Sequence, residues 1–120
     1  MIEKEAANDS DRYKIASVIY NRLKADWPLQ IDSTTLYEYP DHKGAPTADM
    51  LAKDSPYNTR KSKGLPPTPI CSPGIASIKA ALQPDDTSYM FYALNTATGE
   101  HEYFTSADAF NAFVATQNYD

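Results

Sequence analysis

Cysteine is almost missing from this chain of 120 residues: Cys71 stands alone, which excludes an internal disulfide and any site built from several thiolates. Histidine is nearly as scarce, and His42 and His101 lie too far apart in the chain to suggest a ligand cluster, so no metal is expected. Only four glycines are present, too few to cradle a phosphate in a glycine-rich loop. Apolar runs of the ~18 residues that a membrane helix needs are absent, as is a charged-then-apolar leader. The stretch in hand is therefore not expected to cross a membrane or to carry an export signal. Positive charge is also short, with 11 Lys and Arg against 16 Asp and Glu, a net charge of −5 and no basic stripe. Nucleic acid is not an expected partner. The length fits one domain, and 42% hydrophobic content suffices for a modest core.

What is present in excess is tyrosine, nine residues against one Trp and four Phe, several of them in polar, proline-rich stretches. Such rings either fill space or offer flat amphipathic platforms to sugars and peptides. The chain begins Ile2-Glu3-Lys4-Glu5-Ala6-Ala7. At about 100° per residue a helix there gathers Ile2, Glu5 and Ala6 on one face and turns Lys4 away. Glu5 then looks inward, as a misplaced charge, a partnered structural one, or a catalytic acid.

Asn8-Asp9-Ser10-Asp11 offers four cap-type residues ahead of a second helix, whose apolar positions Ile15, Val18, Ile19 and Leu23 repeat at three and four and which should end near Lys24, before Trp27-Pro28. Leu29 to Tyr39 suits a short strand or an extended segment leading into a helical turn. Thr47 caps one or two turns to Ala52. Asp54 to Pro73 reads as loop stiffened by Pro56, Pro66, Pro67, Pro69 and Pro73, and a connection that long suits the lining of a groove. Ser72-Pro73 looks like a cap and first helical position, with Ile75, Ile78 and Leu82 as the inward face. Tyr89 to Leu94 and Glu100 to Thr105 form a hairpin around Asn95 to Gly99, and Ser106 caps a last helix that turns Phe110, Phe113 and Val114 inward. The expected class is α+β: several helices packed with a small antiparallel sheet that includes a C-terminal β-hairpin.

Seven stretches in order carry a family resemblance: Ile2-Glu3-Lys4-Glu5; Ile15-Ala16-Ser17-Val18 with Asn21-Arg22-Leu23; Leu29-Gln30 with Asp32, Thr34 and Tyr37; Ser55-Pro56-Tyr57-Asn58-Thr59; Gly64-Leu65-Pro66-Pro67 with Ile70; Pro73-Gly74 with Ser77; and the hairpin from Gly99 to Phe104. Over almost the whole chain they resemble the catalytic domain of the MltG, or YceG-like, family of endolytic murein transglycosylases, once labelled aminodeoxychorismate lyase-like. In three places the chain departs from the family pattern: Ser33 replaces the usual proline, Arg60 a common aromatic, and Ala109-Phe110-Asn111 a Glu-His-Asn-like ending.

The resemblance implies an enzyme that cuts the β-1,4 bond between N-acetylmuramic acid and N-acetylglucosamine in peptidoglycan strands and leaves a 1,6-anhydro end. Glu5, not Glu3, would be its acid and base, and no second carboxylate, metal or organic cofactor is implied. An ordinary glycosidase would need two carboxyl groups. For that work Glu5 needs a raised pKa, with Ile2, Tyr37 and Leu65 as candidates for an apolar wall. Gln30, Tyr37, Tyr57, Asn58 and Thr59 are the expected substrate contacts, although Asn58 could equally close a turn after Pro56. Asn21, Arg22, Asp32, Thr34, Gly64 and Pro66 are expected to support the structure, and His101 reads as structural.

Family members have a membrane anchor and a LysM-like subdomain, so residues 1–120 are expected to be one N-terminally truncated catalytic domain of an extracytoplasmic protein. Its partners would be glycan strands and, in the full-length protein, cell-wall synthases. Two rivals remain. A peptidoglycan-binding module would keep the groove without activity, and a pyridoxal-phosphate lyase would need a Schiff-base lysine and a glycine loop.

Overall fold

A computed structural model describes residues 1–119, with six helices and one two-stranded antiparallel sheet among them. The fold is α+β and ends in a hairpin and a helix, as the sequence predicts. The first helix, α1 (Ile2–Glu5), is a single turn. A lone turn is unstable by itself, because nucleation fixes several residues for one hydrogen bond. Side chains from elsewhere hold it. Glu3 accepts from the Gly74 N–H at 2.7 Å and from Ser77 Oγ at 2.9 Å, with Arg12 at 3.3 Å, while the Asp11 carboxylate takes the Ala7 N–H at 3.0 Å.

Helix α2 (Asp9–Lys24) is the centre of the molecule. Of the four possible caps Asn8 is used, accepting from the Asp11 N–H at 2.9 Å. Ile15 and Ile19 of α2 pack with Leu29 and Ile31, and Met1, Ile2, Ala6, Leu23, Tyr92 and Tyr103 close around them. Each such buried aliphatic side chain contributes about 1.5–3 kcal/mol. Past α2 the chain runs without helix or strand through Leu29–Ile31 and enters α3 (Asp32–Leu36). Thr47 caps α4 (Ala48–Ala52).

The proline-rich segment from Asp54 to Pro73 has no helix or strand, yet it is tied down. Asn58 donates to the carbonyls of Leu51 at 3.0 Å and Lys53 at 2.8 Å, and the Thr59 hydroxyl receives the Ile31 N–H at 2.9 Å.

Helix α5 (Ile75–Leu82) departs from the expectation in two ways. It begins behind Gly74, not Ser72-Pro73, with no capping side chain, and the Glu3 carboxylate accepts the N–H of Gly74 itself. Its buried residues are Ser77 and Ala80, whereas Ile75 and Leu82 are 71% and 76% exposed. Small residues let α5 approach α2 closely, and Ser77 is occupied by Glu3 and Arg12. That close approach selects the face in place of the larger apolar side chains.

Strands β1 (Phe91–Leu94) and β2 (His101–Phe104) pair Phe91 with Phe104, Tyr92 with Tyr103 and Leu94 with His101. Side chains alternate across a strand, so Tyr92, Tyr103 and His101 share one face and Phe91 and Phe104 the other. The first face meets α1 and α2. The second is covered by α6 (Ala107–Val114), whose Phe110 stacks on Phe91 at 5.0 Å while Phe113 meets Phe104 at 5.2 Å. No helix among the described residues is long and apolar enough to cross a membrane.

Candidate active site

The two glutamates of α1 face opposite ways into different surroundings. Glu3 is engaged by donors on α2 and α5, and the Gly74 N–H, the Ser77 hydroxyl and Arg12 hold its carboxyl below the usual range. Glu5 points instead toward β1, where Tyr92 Oη donates to its Oε1 at 2.6 Å. Burial pushes the Glu5 pKa up; the Tyr92 hydroxyl pulls against it, and the Asp32 carboxylate raises it further. Ser33 Oγ, buried with no hydrogen bond of ordinary geometry, and His101 act weakly in the other direction. Burial wins, and the proton is held to a higher pH than in an ordinary glutamate.

Glu5 opens onto a cavity of about 450 Å³ lined also by Arg22, Gln30, Asp32, Arg60, Tyr92 and His101, with Leu29, Leu94 and Phe110 as apolar wall. A volume of roughly 300–1,000 Å³ is usual for small-ligand sites. Arg22 is 8% exposed and donates to the carbonyls of Met90 at 2.7 Å and Pro28 at 2.9 Å, with Phe91 against its guanidinium. It ties α2 to the approaches of both cleft walls. Asp32 and Arg60 form an ion pair at 2.9 Å on the rim. Among the described residues no group of three His, Cys, Asp or Glu could hold a metal ion.

Of the residues expected to touch substrate, Gln30 alone lines this cavity. Its backbone sits at φ +54°, in the left-handed region that costs a non-glycine residue about 1–2 kcal/mol. Two hydrogen bonds hold it there: its own N–H to the Thr59 carbonyl at 3.1 Å and the Ile31 N–H to Thr59 Oγ1.

Asn58 and Thr59 themselves are each 1% exposed and present no polar atom to the cleft. The Asn58 amide is spent on Leu51 and Lys53 while its N–H closes a turn on the Ser55 carbonyl at 3.0 Å, the alternative expected for it, and Thr59 is spent on Ile31 and Thr34, so neither offers the expected direct contact. Tyr37 and Tyr57 pack on each other at 5.1 Å and neither lines the cavity. The apolar wall differs too. Ile2 and Leu65 line a separate groove on the far side of α1, and Leu29 and Tyr92 take their place beside Glu5.

The support residues fall into structural positions. Thr34, fully buried, bonds Thr59 Oγ1 at 2.9 Å and the Ile31 carbonyl at 2.8 Å. Asn21 donates to the carbonyls of Thr87 and Tyr89, both at 2.9 Å. Gly64 turns at φ +85°, and Pro66 follows it against a shallow outer groove. Sequence reasoning missed Tyr92, and it read Asp11 only as a cap and His101 as structural. The one available signal was the alternation of the hairpin, which sets Tyr92, His101 and Tyr103 on a common face.

Fold and site together define an α+β domain that presents to a polar cleft a carboxyl group whose pKa is raised by burial. The chain matches the YceG-like family over residues 1–116, and it belongs to that family. It is 50% identical over 100 residues to an endolytic murein transglycosylase of Bacillus subtilis, and that match covers 83% of this chain and 28% of the relative. A Streptococcus pneumoniae protein of the same description is 32% identical over 120 residues, covering 96% of this chain and 22% of the relative. The chain thus spans about a quarter of the curated relatives it matches. Among solved structures, a YceG-like protein from Listeria monocytogenes superposes with a TM-score of 0.88 at 46% identity, over 93% of this chain and 36% of that one.

Proposed function

We propose that this chain cleaves the glycan strands of peptidoglycan at the β-1,4 bond between N-acetylmuramic acid and N-acetylglucosamine, with Glu5 as acid and then base. The observation that carries the reading is the Glu5 carboxyl group, its pKa raised by burial, at the wall of an open polar cleft. Tyr92 fixes Oε1 and leaves Oε2 to carry the proton toward the cleft. That proton passes to the departing glycosidic oxygen as the bond to the anomeric carbon breaks. The carboxylate then takes the proton of the substrate's own C6 hydroxyl as it attacks the same carbon, closing the 1,6-anhydro ring and returning Glu5 to its starting state. Gln30 offers the cleft an amide, a partner for sugar hydroxyl or N-acetyl groups. The names of the relatives from B. subtilis and S. pneumoniae support the substrate class. With such a substrate we read residues 1–120 as the catalytic domain of an anchored protein that works outside the cell membrane, beside the synthases that build the strands.

Asp32 favours a second reading, hydrolysis, because it is a second carboxylate in the same cleft. Against it stands the 2.9 Å ion pair that engages Asp32 with Arg60. Mass spectrometry of digested strands separates the two: transglycosylation gives anhydro-ended fragments one water lighter than the reducing-ended fragments of hydrolysis. Glu5→Gln should abolish either product. Wild-type-like cleavage by that variant overturns the assignment, and retention on strands without any cleavage by the wild type marks a binding module.

A further inference from the structure

The acid of the cleft has a neighbour that the single-carboxyl reading leaves unused. Asp11, 5% exposed at the start of α2, gathers three donors, one from the connection ahead of α2 and two from β2. The Ala7 N–H reaches its Oδ2 at 3.0 Å, the Tyr103 hydroxyl bonds Oδ1, and His101 Nδ1 meets Oδ2 at 2.7 Å. Burial pushes the Asp11 carboxyl up, but the Tyr103 hydroxyl, the Ala7 N–H and His101 outweigh it and leave Asp11 below its ordinary value. The ionised carboxylate accepts from Nδ1–H, and in the neutral ring that tautomer leaves Nε2 as a lone-pair acceptor.

The His101 ring is wedged edge-on against Tyr92 at 5.5 Å and lines the Glu5 cavity. No hydrogen bond occupies Nε2 among the described residues. His42 makes the contrast: it uses Nε2 on the Ala45 carbonyl at 2.8 Å, on the surface and away from this cleft. A histidine that only tied β2 to α2 would have no need of an open second nitrogen in the cavity that holds Glu5.

We propose that His101, oriented by Asp11, is a substrate-binding group of the cleft, whose Nε2 accepts a hydrogen bond from a sugar hydroxyl and so fixes the ring facing Glu5. Asp11 is its positioning residue and touches no substrate. The proposal rests on the reading of Glu5 as the acid that acts on a glycan, and it adds the group that orients that glycan.

The test uses the purified protein and isolated peptidoglycan glycan strands. His101→Phe keeps a flat ring against Tyr92 and removes the acceptor; kcat/KM should fall about tenfold to a hundredfold, the range for one good hydrogen bond made in the transition state. His101→Gln restores an acceptor and should recover part of that loss, with both variants unfolding at the same temperature. Asp11→Asn should lower kcat/KM as His101→Phe does. Ring 15N shifts, assigned by the loss of one of two histidine signals in His101→Phe, should show Nε2 unprotonated at His101 and protonated at His42. Wild-type kcat/KM in His101→Phe, alongside an inactive Glu5→Gln, overturns this proposal and leaves the acid in place. Equal losses in the Phe and Gln variants, or a protonated Nε2 at His101, also overturn it. Activity surviving in Glu5→Gln overturns the underlying reading instead.

Discussion

Thr59→Val tests whether Gln30 is held in its unfavourable backbone conformation by one buried hydroxyl. The replacement is isosteric, so no cavity forms at a position 1% exposed. What goes is Oγ1, which receives the Ile31 N–H at 2.9 Å and bonds Thr34 Oγ1 at 2.9 Å. Thr34 keeps a partner, the Ile31 carbonyl at 2.8 Å, so its loss is small. The Ile31 N–H keeps none, and an orphaned buried donor costs about 1–3 kcal/mol. Exchanging a hydroxyl for a methyl returns roughly 0.8 kcal/mol of apolar burial. The net destabilisation should be about 1–2 kcal/mol, a shift of the urea midpoint by roughly 1 M at an unchanged slope. Thr59→Ser is the control: it loses a methyl at a cost of about 1 kcal/mol but keeps the hydroxyl. The two variants should be similarly destabilised, yet only Thr59→Val should lose cleavage per folded molecule, because only it frees Gln30. If Thr59→Val matches wild type in urea, or if both variants cleave alike, the chain Thr59, Ile31, Gln30 does not position the cleft and the reasoning fails.

Tyr92→Phe keeps the apolar ring but removes the hydroxyl that favours the charged form of Glu5, so the Glu5 pKa should rise further; a carboxyl 13C titration that shows it unchanged or lowered refutes the assigned balance. Glu5→Gln should stabilise the fold at higher pH. With its pKa raised above 4.5, native Glu5 binds more protons than the unfolded chain does, so the wild type loses stability as pH rises through the raised value. The difference between the two should vanish below the ordinary glutamate range, and chemical denaturation at several pH values measures it. Thr35→Val should raise stability by about 1 kcal/mol, since Thr35 Oγ1 is buried without a hydrogen-bond partner; a loss of stability in thermal unfolding contradicts that.

What the sequence revealed and what it hid divide along the range of the interactions. Caps and apolar periodicity are local, so Asn8, Thr47 and Ser106 and the helices behind them could be anticipated. The buried face of α5 could not, because Ser77 and Ala80 are chosen by how near α2 lies, not by their own hydrophobicity. Asn58 and Thr59 misled for a chemical reason. An amide and a hydroxyl serve a sugar and a backbone equally well, and only their depth in the structure decides between the two. The partners of the site are the most distant of all: Tyr92 meets Glu5 across 87 residues, and His101 meets Asp11 across 90. Hairpin alternation predicts which strand residues share a face, but not which helix they will face.

The pair of glutamates on α1 shows why a single turn can carry such a site. A four-residue helix cannot hold a side chain in place by its own hydrogen bonds. Glu3 supplies what is missing by staying charged, gripping the N-terminal N–H of α5, the Ser77 hydroxyl and Arg12 at once. Glu5, two residues on and facing the other way, is bonded to Tyr92 and has its pKa raised by burial. The same burial that makes Glu5 a poor structural carboxylate suits it to the acid role proposed for it, and only an anchored helix can sustain that burial. Glu3 and Glu5 are therefore not redundant copies in an acidic run: the fold lowers the pKa of one and raises that of the other.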